Sequence, residues 1–143
     1  MNIGQILKTK ARGVATAQPS DSVEEIASRL ASRKIGAIVI VAEAGRVAGI
    51  ISERDIIRLI AAHGSKALTL PASAGMTANV QTCTRDHSLE DIMETMTRGR
   101  FRHCPVVEDG ELVGIISIGD VVKYHTAEVE LEVTAMRGYL ATG

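Results

Sequence analysis

Two short clusters in this 143-residue chain carry the residue types of a phosphate and sugar site. Ser52-Glu-Arg-Asp55 and Ser117-Ile-Gly-Asp120 each place a hydroxyl three residues ahead of a carboxylate, directly after an apolar Gly-Ile-Ile run. That order reads as a strand ending and a helix beginning, where free N–H groups and the helix dipole favour an anion. A Ser hydroxyl there can hydrogen-bond a phosphate, and the carboxylate can accept from both hydroxyls of a ribose. The same spacing also makes a helix cap, in which the two side chains satisfy backbone N–H groups of the first turn. A third cluster, Arg98-Gly-Arg100-Phe101-Arg102-His103-Cys104-Pro105, gathers three guanidinium groups and an imidazole ahead of an apolar stretch. Planar Arg forks match phosphate oxygens.

The elements that must position these residues occur twice. Gly45 to Arg58 reads onto Gly110 to Lys123 at an offset of 65, with Gly, Gly, Ile, Ile, Ser and Asp identical. Upstream, Ser22-Val-Glu-Glu25-Ile26 reads onto Ser88-Leu-Glu-Asp91-Ile92 at an offset of 66, because the turn Ala42–Gly45 is one residue longer than Glu108–Gly110. Each unit predicts a short strand near Val14 to Ala17 or Val80 to Cys83, then a helix capped by Ser22 and Glu25 or by Ser88 and Asp91. Val23, Ile26, Ala27 and Leu30 form one apolar helix face, and Leu89, Ile92, Met93 and Met96 the other. A hairpin follows, Ala37–Val41 with Val47–Ile51 and Cys104–Val107 with Leu112–Ile116, whose continuous apolar runs predict strands covered on both faces. A last helix runs from about Asp55 to His63, stopped by Gly64, and from Asp120 onward; Gly64 to Pro71 is the linker. A unit of roughly 60 residues is marginal alone, so the two should pack about a pseudo-twofold axis with a ligand cleft between them.

Composition narrows the function. Sixteen basic against 17 acidic residues give a net charge of -1, and the only aromatics are Phe101, Tyr124 and Tyr139. Both facts argue against a nucleic-acid partner. No apolar run approaches the ~20 residues of a membrane span, and no charged-then-apolar leader opens the chain. Cys83 and Cys104 fit neither a disulfide scaffold nor a zinc pattern, so a cytoplasmic protein with buried structural thiols is expected. His63, His87, His103 and His125 form no HExxH-like pair, and no GxGxxG or GxxxxGK[ST] loop occurs. No nucleophile–base pair is visible, so no residue is expected to be catalytic or to hold a metal.

The repeated unit ending in Gly-Ile-Ile-Ser-x-x-Asp resembles the cystathionine β-synthase (CBS) domain, and two in tandem resemble a CBS pair, or Bateman module. The resemblance runs from about Ile6 to Thr126. It implies an α/β (α+β) fold of two β-α-β-β-α CBS repeats, residues 6–66 and 70–126, packed with pseudo-twofold symmetry and followed by a helical tail over 127–143. It also implies a sensor, not an enzyme, that binds an adenosine-containing ligand (AMP, ADP, ATP, NAD or NADH, or S-adenosylmethionine) and signals occupancy to a regulated partner or through a homodimer. The alternative is a ligand-independent interaction module with empty clefts.

By the same resemblance, Asp55 and Asp120 match ribose-binding positions, and Arg102 and His103 match positions that face phosphate. Thr16, Ala17, Thr82 and Cys83 match positions lining the adenine-ribose pocket. Gly36 and Ala37 stand in the first repeat where Arg102 and His103 stand in the second, so the sites should differ. The tighter site is expected at Asp120, with Arg102, His103 and Ser117, and with Cys104, Pro105 and Ile118 beside it. The other takes Gly36, Ala37, Ile38, Ser52 and Asp55, while Arg54 can reach across the axis. Arg98 and Arg100 are read as solvated. The two Gly-Ile-Ile segments are expected to give adenine an aliphatic wall.

Beyond Thr126, Val129, Val133, Met136 and Leu140 follow at spacings of 4, 3 and 4, with Glu128, Glu130 and Glu132 among them. This predicts one apolar stripe on a helix, serving docking or dimer contact or else folding back onto the core.

Overall fold

Polar side chains fix where the helices begin. The computed structural model describes residues 1–10 and 13–142; Ala11 and Arg12 of the expected first repeat, and Gly143 of the expected tail, lie outside the described residues. Helix α1 (Ile3–Thr9) opens on a reciprocal capping box between Asn2 and Gln5. Strand β1 (Thr16–Ala17) leads to α2 (Val23–Arg33), where the Glu25 N–H donates to Ser22 Oγ at 3.1 Å. Val23, Ile26 and Leu30 are buried as their spacing predicts, and Ala27 packs partly against them. Strands β2 (Ala37–Val41) and β3 (Val47–Ser52) form the first hairpin, and α3 (Glu53–His63) follows without a break until Gly64.

The second unit repeats the plan with α4 (Leu89–Gly99), β4 (His103–Glu108), β5 (Glu111–Ser117) and α5 (Ile118–Thr142). Ser88 and Asp91 complete the capping box of α4. The last helix of each unit starts two residues earlier than the sequence suggested, because Ser52 and Ser117 are the caps and the aspartates are already in the first turn. The strand expected over Val80–Cys83 shrinks to one bridge, Cys83 to Val106. β1 runs parallel to β2, and both hairpins are antiparallel. Their registers shift at equivalent places, Ile40/Val41 and Val106/Val107, and the extra residue of the first turn is taken up between Val41 and Val47.

The chain segments ahead of the two units are exchanged. Ile3 and Ile6 of α1, fully buried, belong to the core of the second unit with Leu89, Ile92, Met96, Val106 and Ile116. The segment that joins the units serves the first. It was expected as a plain linker, but it folds into 3-10 turns over Gly64–Thr69 and Ala72–Ala74, and Ala67 and Ala72 enter the core with Ile26, Ile38 and Ile51. The exchange is symmetric in its hydrogen bonds. Ile3 N–H donates to His87 O and Gly4 N–H to Arg85 O, each at 3.0 Å; Ala72 N–H donates to Asp21 O at 2.7 Å and Ser73 N–H to Pro19 O at 3.0 Å. Leu89 N–H meets Met1 O as Val23 N–H meets Leu70 O.

Two hairpin glycines make room for the exchanged segments. A Cβ on Gly49 would stand 2.7 Å from the Thr77 carbonyl oxygen and 2.8 Å from Met76 Sδ, while one on Gly114 would stand 2.6 Å from Leu7 Cδ2. The Thr77 backbone is held by reciprocal hydrogen bonds to Ile50, whereas the Leu7 side chain can swing aside. Gly49→Ala is therefore expected to cost about 2–3 kcal/mol. Gly114→Ala should cost under about 1 kcal/mol, partly offset by the stiffer unfolded chain. Denaturation of the two variants measures the difference; equal losses would mean that the Thr77 carbonyl sets no barrier.

Candidate functional site

Two cavities flank the junction of the units, and each is built from both. The first, about 450 Å³, sets Ile50, Ser52, Arg54, Asp55 and Arg58 of the first unit against Thr77, Asn79–Gln81 and Gly99–His103. The second, about 1070 Å³, sets Ile115, Ser117, Ile118 and Gly119 against Lys10, Gly13–Ala15 and Ser32–Ala37. The lining follows the repeat: the helix start of one unit faces the segment before the first strand, and the loop between helix and strand, of the other. Gly36 and His103 border both cavities.

The two helix starts use their Ser-x-x-Asp residues in the same way. Asp55 Oδ2 accepts from Ser52 N–H at 2.8 Å and from Ser52 Oγ at 3.0 Å. Asp120 Oδ2 accepts from Ser117 N–H at 2.9 Å and from Ser117 Oγ at 3.0 Å. Both clusters are thus helix caps. They differ in the cation beside them. Arg58 lies 3.6 Å from Asp55 Oδ1, leaving Asp55 on the cavity wall. Lys10 Nζ donates to Asp120 Oδ2 at 2.8 Å and to the Ile115 carbonyl at 2.8 Å. Burial alone would push the Asp120 carboxyl up, but the Lys10 ammonium and the Ser117 donors outweigh it and hold it below its ordinary range.

The basic cluster stands elsewhere than the sequence suggested. Arg102, expected beside Asp120, borders the cavity of Ser52 and Asp55, although its carbonyl accepts from Ile118 N–H at 2.8 Å, next to the Ser117 motif. Arg100, read as solvated, borders it too, while Arg98 pairs with Glu94 on the surface at 2.7 Å. The guanidinium groups of Arg54, Arg100 and Arg102 make no hydrogen bond or ion pair among the described residues. His103 reaches the common wall, where a Cβ on Gly36 would be 3.4 Å from its Nε2. Burial pulls its imidazole below the ordinary value, with the Glu53 carboxylate opposing in part.

Several expected residues do not border either cavity. Ala17 and Ile38 lie in the first core, Cys83 and Cys104 are buried free thiols in the second, and Pro105 is buried beside them. The neighbouring Cys104 sulfur and burial push the Cys83 thiol well up, so it is protonated at neutral pH. Thr16 and Thr82 are exposed; the lining comes from Gly13–Ala15 and Asn79–Gln81, just upstream. Asp120 is likewise absent from the second wall, where Ser117, Ile118, Gly36 and Ala37 do stand. Only the middle isoleucine of each Gly-Ile-Ile run, Ile50 or Ile115, faces a cavity; Ile51 and Ile116 are core. The first wall is not wholly aliphatic, since Phe101 joins Ile50 and Val80. Lys10, Lys34 and Asn79–Gln81 were missed; the signal that could have found them is the repeat itself, which matches Lys34 to Arg100 at the helix ends and continues upstream of β1.

Paired β-α-β-β-α units facing each other, with a shared cavity on either side of their junction, define a tandem-repeat α+β module. The family described as CBS domain matches residues 3–62 and 72–126, and the chain belongs to that family. A CBS-domain protein of Agrobacterium tumefaciens, ATU1752, is 45% identical, with a TM-score of 0.81 over 85% of this chain and 91% of its own. The CBS domain pair of protein MJ0100, in complex with 5′-methylthioadenosine and S-adenosyl-L-methionine, is 27% identical, with a TM-score of 0.79 over 90% of this chain and 98% of its own. The CBS domain protein PAE2072 of Pyrobaculum aerophilum, complexed with AMP, is 28% identical, with a TM-score of 0.75 over 84% of this chain and 89% of its own. Among the described residues, no group of His, Cys, Asp and Glu could hold a metal, and no helix is long and apolar enough to cross a membrane.

The Lys10–Asp120 pair gives the fold a pH dependence. A carboxyl held low contributes stability that is present above its unfolded value near ~4 and is lost as pH falls through its folded value. Lys10→Met should cost about 1 kcal/mol or less at pH 7, given partial solvent screening. The gap between variant and parent should narrow as pH falls below ~4 in urea titrations; a gap that stays constant would remove the ion pair as its cause.

Proposed function

We propose that this protein is a regulatory sensor that binds an adenosine-containing nucleotide in the cavity at Ser52 and Asp55. The observation that carries the reading is the meeting, in one cavity of about 450 Å³, of three guanidinium groups that have no partner among the described residues with an aspartate at a helix start and an apolar wall. That volume is within the range of small-molecule sites. Asp55 Oδ1 would accept from the ribose hydroxyls, Arg54, Arg100 and Arg102 would neutralise phosphate, and the adenine would lie against Ile50, Val80 and Phe101. The AMP and S-adenosylmethionine carried by the similar CBS structures support an adenosine ligand. ATP and NAD fit the same chemistry. The second cavity, with Ser117, Lys10 and Lys34, would take a ligand more weakly, because Lys10 already neutralises Asp120.

Both α3 and α5 begin at a cavity wall, so occupancy would alter the packing of two helix starts at once. We read this as the signal to a regulated partner or through a homodimer in the cytoplasm. One observation favours the second reading, an interaction module whose clefts stay empty: the apolar stripe of α5 is exposed and borders neither cavity. That reading expects the same partner binding with and without nucleotide.

Calorimetry with AMP, ATP, NADH and S-adenosylmethionine tests the sensor. At least one should bind more tightly than ~1 mM, and Asp55→Ala should weaken it about tenfold or more through the lost charged hydrogen bonds. Arg102→Ala should weaken the phosphate-bearing ligands and leave adenosine itself unchanged. If none of the four binds, the sensor reading fails.

A further inference from the structure

The tail of α5 extends a helix rooted in the body but packs against nothing in its own chain. From Val129 to Thr142 its side chains are exposed, and the stretch holds two valines, two threonines and a glycine, all weak helix formers. Isolated helices of about 14 residues are marginal in water. Most of its apolar residues nevertheless fall on one seam; Leu131, on the opposite face, and Tyr139, beside it, do not. Val122, Val129 and Met136 take one heptad position, Thr126, Val133 and Leu140 the other, at alternating spacings of 4 and 3. Val122 is 59% exposed, Met136 60% and Leu140 70%, so the seam is uncovered along its length. The residues that tie α5 to the body, Val121, Tyr124 and Glu128, lie between about a quarter-turn and a half-turn away around the helix. The body therefore holds the helix without lying over the seam.

We infer that α5 pairs through this seam with α5 of a second copy, as a parallel two-stranded coiled coil. This deepens the homodimer part of the reading above and does not depend on the nucleotide part. The flanking charges select both partner and direction. In a parallel pair, the residue before each Val133 layer meets the residue five positions on in the other chain, which sets Glu132 against Arg137 twice. In the fully overlapped antiparallel pair, Glu130 would meet Glu130, Glu132 would meet Glu132, and Lys123 would meet Arg137. Every one of those contacts is between like charges.

Sedimentation equilibrium on the full chain tests the inference. The parent should be a dimer, and Val133→Glu with Met136→Glu should weaken it at least about a hundredfold. Arg137→Glu alone should weaken dimerisation about tenfold, and adding Glu132→Arg should restore it. In an antiparallel pair Arg137→Glu would strengthen the dimer by relieving Lys123, and that result overturns the inference. A parent that stays monomeric at about 100 μM overturns it together with the homodimer reading. A dimer indifferent to the seam substitutions overturns the coiled coil and leaves a dimer through the repeats standing. Nucleotide affinity should be unchanged in all of these variants, so the outcome is separable from that of the sensor reading.

Discussion

Each half of this molecule is closed by the peptide that precedes the other half. Ile3 and Ile6 fill the second core, and Ala67 and Ala72 fill the first. A unit of roughly 60 residues buries too little apolar surface to be secure alone, and here neither unit owns all of its core. The crossing ties the halves by chain connectivity as well as by surface contact. Removing α1 would open the unit that is most distant from it in sequence. Gly49 and Gly114 sit where the exchanged segments cross the hairpins, so the Gly of Gly-Ile-Ile answers to the crossing.

The cavities are a product of the same crossing. Because each leading segment runs over the opposite unit, the residues just upstream of a first strand arrive beside the other unit's helix start. The helix starts are already stabilised by Ser and Asp, so their carboxylates are fixed before any ligand comes. What separates the two sites is the nearby cation. Lys10 is hydrogen-bonded to Asp120, which does not border its cavity, while Arg54, Arg100 and Arg102 share the other wall with Glu53 and Asp55. A chain with a net charge of -1 thus still sets three guanidinium groups around one cavity.

Much of the fold was legible because it is local. Ser22, Ser52, Ser88 and Ser117 cap helices by short-range spacing, and the hairpins follow from apolar runs around Gly45 and Gly110. The internal repeat gave the pairing of units. The exchange was not legible, because Met1-Asn-Ile-Gly and Leu70-Pro-Ala-Ser share no residue and only their backbone hydrogen bonds are equivalent. Arg102 differs for another reason: its carbonyl is held beside its own repeat's motif by Ile118 N–H, yet it borders the cavity of Ser52 and Asp55. The Thr16, Ala17, Thr82 and Cys83 positions failed to reach a cavity because the strand enters the core at Ala17 and Cys83, so only the residues before it remain at the wall.

The cap at Ser117 is also the root of α5, which runs unbroken for 25 residues. At 1.5 Å per residue it is a rod about 37 Å long, and most of it stands clear of the body. Such a rod magnifies angle into distance. A tilt of about 5° in its first turn, no more than a small readjustment beside Lys10 and Asp120, sweeps the far end through about 3 Å. The end remote from the cavities is therefore where small angular changes near them become easiest to detect.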